Sequence, residues 1–127
     1  MTIEETIHSE LTGDATVGAL ISSRAYPLKM PQNPTLPNVV YQLISGEQLH
    51  VSDYVDPRYQ LACWAATYAK AVELADAVRA LFAYRHMTVS GLHYRAMVQN
   101  EMDTDPDDET GYYRRIVDVK FLYVKPT

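Results

Sequence analysis

The chain has 127 residues, 47% apolar and 21% charged, with a formal net charge of −5, a composition that fits one globular domain able to build its own core. That acidic balance offers no basic footprint for nucleic acid, and a single cysteine, Cys63, excludes an internal disulfide framework. The longest uncharged stretch, residues 30–46, is broken by Pro31, Pro34 and Pro37, so no membrane-spanning helix is predicted.

The N-terminus, MTIEETIHSE, is acidic where a signal peptide is basic, which predicts a protein made and kept in the cytoplasm. Ile3, Ile7 and Leu11 recur every four residues and predict a first helix ending at Gly13. Asp14 is placed to cap a short second helix carrying Val17, Leu20 and Ile21. Residues 24–37, RAYPLKMPQNPTLP, hold four of the seven prolines and read as a stiff, extended excursion. A β-rich run follows at 38–45, with a turn at Gly46, and HVSDYVDP reads as loop. Residues 58–66 return to extended structure, placing Tyr59, Leu61 and Cys63 on one face and Gln60 and Trp64 on the other.

Thr67 is a predicted N-cap for a helix running to Tyr84. Ala71, Leu74, Ala75, Val78, Leu81 and Phe82 form its apolar stripe. Ala69, Val72, Ala80 and Ala83 leave its outer side small and smooth, which reads either as plain helix propensity or as a subunit contact. Residues 87–89 read as a short strand turned by Ser90 and Gly91. Leu92, Tyr94, Ala96 and Val98 then alternate with polar partners, as do Val117, Val119, Phe121 and Tyr123 in a final strand. The sum is an α+β fold: an antiparallel sheet with one long helix packed on a face and short N-terminal helices beside it.

Between the last two strands lies MDTDPDDETG, with Asp103, Asp105, Asp107, Asp108 and Glu109 as five carboxylates in seven residues. An EF-hand loop starting at Asp103 would need Gly at its sixth position and Glu at its twelfth, where Asp108 and Arg114 stand. The loop therefore reads as a mobile hairpin tip that projects into solvent or towards a partner. The four histidines lack metal-ligand spacing and the five glycines are isolated, so neither a metal nor a phosphate loop is predicted. A triad of Cys63, His93 and an Asp has no nucleophile motif to support it, and no catalytic residue or cofactor is predicted. Ten tyrosines is a high count that suggests interface, although several must be core residues on the strands, and Tyr112, Tyr113, Arg114 and Arg115 together read as a contact patch.

The stretches RAYPLKMPQNPTLPNVVYQLISG, RYQLACWAATYAKAVELADAVRALF and YYRRIVDVKFLYV resemble the tail-completion proteins of long-tailed phages and prophages, also called tail terminator or head–tail joining proteins. The positions carrying the likeness are Arg24, Tyr26, Pro27, Pro31, Gln32, Leu36, Pro37, Val39, Val40, Tyr41 and Gln42, then Arg58, Gln60 and Trp64. The acidic loop is longer here than the family pattern. The resemblance implies a non-enzymatic virion protein, a hexameric ring at the head–tail junction. It implies the major tail tube protein and the head connector as partners, with DNA passing through unbound. Six copies would carry a charge on the order of −30, repelling phosphates from the channel. The rival readings are another phage neck or tail-tube component, and a small bacterial enzyme or ligand-binding domain.

Overall fold

The computed structural model describes residues 2–46 and 54–124, which form three helices and a seven-stranded sheet. Helix α1 (Ile3–Gly13) begins at Thr2, whose hydroxyl accepts the Glu5 N–H while the Glu5 carboxylate accepts the Thr2 N–H. This reciprocal box satisfies two amides that the first turn leaves unpaired. Helix α2 (Ala15–Ile21) follows at once because the Asp14 carboxylate accepts from the amides of Thr16 and Val17. Helix α3 (Tyr68–Phe82) starts at Thr67, whose hydroxyl accepts from Lys70.

Strands β1 (Ala25–Pro27), β2 (Asn38–Ser45), β4 (Arg58–Ala65), β5 (His86–Val89), β6 (Leu92–Asp103) and β7 (Tyr113–Val124) lie in the order β1-β2-β4-β7-β6-β5. Strand β3 (Tyr54–Val55) pairs with the far end of β7, where β4 has already ended. Ser90 and Gly91, both at positive φ, turn β5 into β6, the backbone twist a two-residue hairpin requires.

Four sequence expectations are corrected. The sheet is mixed, because β1 runs parallel to β2 with Ala25 opposite Val39. A parallel neighbour must be reached by sending the chain back to its starting end. Residues 28–37 do this, so the proline segment is extended only at β1 and is otherwise a return loop. Leu28 and Asn33 take positive φ to make its bends. Arg24 closes the loop's mouth by donating to the carbonyls of Pro37 and Leu20, and buried Asn38 donates to that of Thr35. Within the stretch read as loop, Tyr54 and Val55 are strand; residues 50–53 lie outside the described residues. Finally, the helical layer is shared by three helices of 11, 7 and 15 residues rather than dominated by one.

All three helices pack on one face of the sheet. Ile7, Leu11, Val17 and Ile21 join Leu74, Val78 and Phe82 against Val39, Leu61, Cys63, Val117, Val119 and Phe121 in one buried cluster. The Tyr59 hydroxyl donates to Glu4, and Arg85 pairs with Glu10 at 2.6 Å, tying α1 to β4 and to the end of α3. Gly18 marks a tight spot between α1 and α2, since a Cβ there would lie 2.8 Å from the Thr12 carbonyl oxygen. Alanine ordinarily stabilises a helix relative to glycine by about 0.5–1 kcal/mol. Here the immovable backbone contact reverses the sign, and Gly18→Ala is expected to destabilise by about 1–3 kcal/mol. The urea midpoint should fall; a raised midpoint would mean the junction can open without loss.

Candidate assembly surfaces

Among the described residues, the sheet's second face carries no helix. Val40, Ala62 and Ile116 form a small second cluster there, with Met30 and Trp64 packed against it. Because side chains alternate along a strand, Arg114 and Arg115 point to opposite faces. The succession Tyr112–Arg115 is therefore divided between the two faces of the sheet, Arg114 lying over Trp64 and Arg115 over Tyr68.

On the open face, the Arg114 guanidinium lies 5.0 Å from the centroid of the Trp64 ring, a cation–π geometry. Its Nε–H donates to the Thr104 hydroxyl at 3.0 Å. Beside them is a hollow of about 180 Å³. Val40, Ala62 and Trp64 line its apolar part, while Gln42 and Gln60 supply amides and Lys29 a second cation. Among the described residues, no carboxylate lines it.

On the helix side, Arg115 bonds the Asp103 carboxylate with both Nε and an NH2 group, at 2.7 and 3.2 Å. The Tyr68 hydroxyl accepts from Arg115 at 2.9 Å and donates to Asp103 at 2.7 Å, closing a triangle. Glu101 lies 3.9 Å from Arg115 and 3.6 Å from Arg79. The Arg115 guanidinium, then the Tyr68 hydroxyl, hold the Asp103 carboxyl below the usual carboxylate range. The same carboxylate pushes the Tyr68 phenol up. Tyr113 packs edge-on against Tyr68 at 6.1 Å.

The acidic loop is thus better organised than its charge density suggests. Asp103 ends β6 inside the Arg115 triangle. At the tip, the Asp107 amide donates to the Tyr112 carbonyl at 3.0 Å, and its carboxylate accepts from the Thr110 hydroxyl at 2.6 Å. That hydroxyl holds the Asp107 carboxyl low. Asp105, Asp108 and Glu109 are exposed and form no ion pair among the described residues. Replacing these three with Asn or Gln is expected to move stability by no more than about 0.5 kcal/mol each. Asp103→Asn should cost more than any of them, and thermal melts of the two variants check the contrast.

The other sequence candidates are scattered. Ala69, Ala80 and Ala83 are exposed on the outer side of α3, with Val72 half-buried among them. Tyr26 is half-buried, and Pro27, Pro31 and Gln32 are exposed, near the return loop. Arg24 spends its donors on backbone carbonyls and acts as a clamp. Cys63 is fully buried on β4, where burial drives its thiol far above the ordinary range. His93 is exposed on β6 against Thr88, so the structure does not bring these two together. Among the described residues, no group of three or more His, Cys, Asp or Glu could hold a metal ion, and no helix is long and apolar enough to cross a membrane.

The hollow and the Tyr68 triangle were missed by sequence reading. The hollow is lined from four separate stretches of chain and the triangle from three, and no local pattern signals either.

The model of the tail completion protein gp17 family matches residues 5–124. A solved chain from the virion of a native gene transfer agent (GTA) particle has a similar fold, with a TM-score of 0.71 at 13% identity, covering 94% of this chain and 92% of that one. A second solved chain gives a TM-score of 0.59 at 14% identity, covering 98% and 92%. No protein of curated function matches the sequence.

Proposed function

The chain belongs to the tail completion protein gp17 family, and from that premise we propose that it closes the head-proximal end of a phage-type tail as a ring of copies. The family match along nearly the whole chain carries this reading, and it makes the protein a structural tail component. The fold shared with a chain of a gene transfer agent virion supports the same setting. In the proposed ring, six copies join the tail tube protein to the head connector and leave a channel for DNA. Formal charge of −5 per copy suits that channel, since phosphates slide past an acidic wall. The protein works by contact alone, without catalysis.

The test is removal of the gene from a particle-producing strain. Heads and tails should accumulate unjoined, or tails should grow beyond their normal length, and DNA delivery should fail. Normal joined particles without the protein would overturn the reading. A reconstruction that finds the chain along the tube, rather than at its end, would favour a tube component of the same fold.

A further inference from the structure

We propose that the hollow on the open sheet face is the docking site for the acidic hairpin tip of a second copy of this chain. The inference rests on the ring reading above and names the contact that would build it. Two observations carry it.

The first is charge left unsatisfied on both sides within one chain. Arg58, Lys70, Arg79, Arg85, Arg115 and Lys120 all pair with carboxylates. Lys29 and Arg114, at the hollow, form no ion pair among the described residues, a condition shared by Arg24, which donates to backbone carbonyls, and by exposed Arg95 on β6. The tip carries the reverse imbalance in Asp105, Asp108 and Glu109. Copies of net charge −5 repel one another, so close approach needs a place where opposite signs meet. The hollow supplies the positive partner.

The second is shape and chemistry. The hollow is apolar in the middle and cationic at its edges, and the ligand it suits is an apolar side chain flanked by carboxylates. Pro106 is exposed and stands between Asp105 and Asp107. Its ring can lie on Val40, Ala62 and Trp64 while neighbouring carboxylates reach Lys29 and Arg114. The tip is already fixed by the Asp107–Tyr112 and Asp107–Thr110 bonds, so docking orders little new chain. Tip and hollow are different surfaces of the molecule. A contact between them is heterologous, and it propagates from copy to copy as a ring requires.

Full-length chain carrying Lys29→Cys and Asp108→Cys is incorporated into particles and oxidised. The expected result is a ladder of covalent multimers, with buried Cys63 taking no part. A chain that stays monomeric, closes a disulfide within itself, or links to a different virion protein overturns the proposal. As a second measurement, Lys29→Glu with Arg114→Glu should lower incorporation about ten-fold or more. Adding Asp105→Lys, Asp108→Lys and Glu109→Lys to the same chain should restore it, because both signs are then reversed. Undiminished incorporation of the glutamate variant, or no recovery in the combined one, overturns the contact. Absence of the unaltered chain from particles would overturn the ring reading itself, a result separate from the others.

Discussion

Replacing Phe121 with alanine is expected to cost about 3–5 kcal/mol of folding stability, the largest loss from a single side chain. The ring is 1% exposed and sits at the centre of the core. It meets Phe82 at 5.3 Å, and Tyr59 and Tyr94 each at 5.8 Å. Removing it strips the partner from three aromatic contacts and opens a cavity between α3 and the sheet. Proteins of this size are stable by only about 5–15 kcal/mol, so the variant should be marginal. The melting temperature should drop by on the order of 10–20 °C. Phe121→Leu, which keeps most of the volume, should lose about 1.5 kcal/mol or less. A fall of under about 5 °C for the alanine variant would mean the neighbouring rings collapse into the space.

Arg115→Met is the second large expectation, and it acts through charge. The variant leaves Glu101 and Asp103 facing each other with Arg79 as the nearest remaining cation, 3.6 Å from Glu101. The expected cost is about 1–3 kcal/mol. Its pH dependence is the sharper readout. Arg115, first among the causes, holds the native Asp103 carboxyl below its ordinary value. The native state therefore favours the ionised form more than the unfolded chain does. That contribution is complete above the unfolded carboxylate value of about 3.9, and it fades as pH falls through the lower native value. Urea midpoints of the unaltered protein should decline on the acid side of about pH 4, in part from this group. The methionine variant should show a shallower decline. Because Asp103 is part-exposed, added salt should narrow the difference. Parallel acid-side curves for the two proteins would remove Asp103 as the cause.

The periodic and capping features were legible in the sequence because each depends on residues within a few positions. Ile3, Ile7 and Leu11 face the core as their four-residue spacing requires. Val117, Val119 and Phe121 do so through strand alternation, and Asp14 and Thr67 cap the helices they precede. The resemblance in the proline segment and the strands around Trp64 pointed to the family that the whole-chain match establishes. Alternation also divides the succession Tyr112–Arg115 between the two faces of the sheet, and applying it there would have separated the two arginines.

What remained hidden depends on residues far apart in the chain. Strand β1 lies parallel to β2 because residues 28–37 return, and a proline-rich composition does not say which way a loop turns. Strand β3 is two residues long and exists by pairing with the end of β7, so its own sequence carries no period. Tyr68, Asp103 and Arg115 meet across separations of 35 and 47 residues, as helix α3 lays its first turn beside the β6–β7 hairpin. Lys29, Trp64 and Arg114 come from a loop and two strands to border one hollow. Local physics set the helices, the strand faces and the acidic composition of the tip. Which charges were satisfied and which were left open was decided only when the sheet brought distant strands side by side, because ion pairing depends on distance in space and not on distance along the chain.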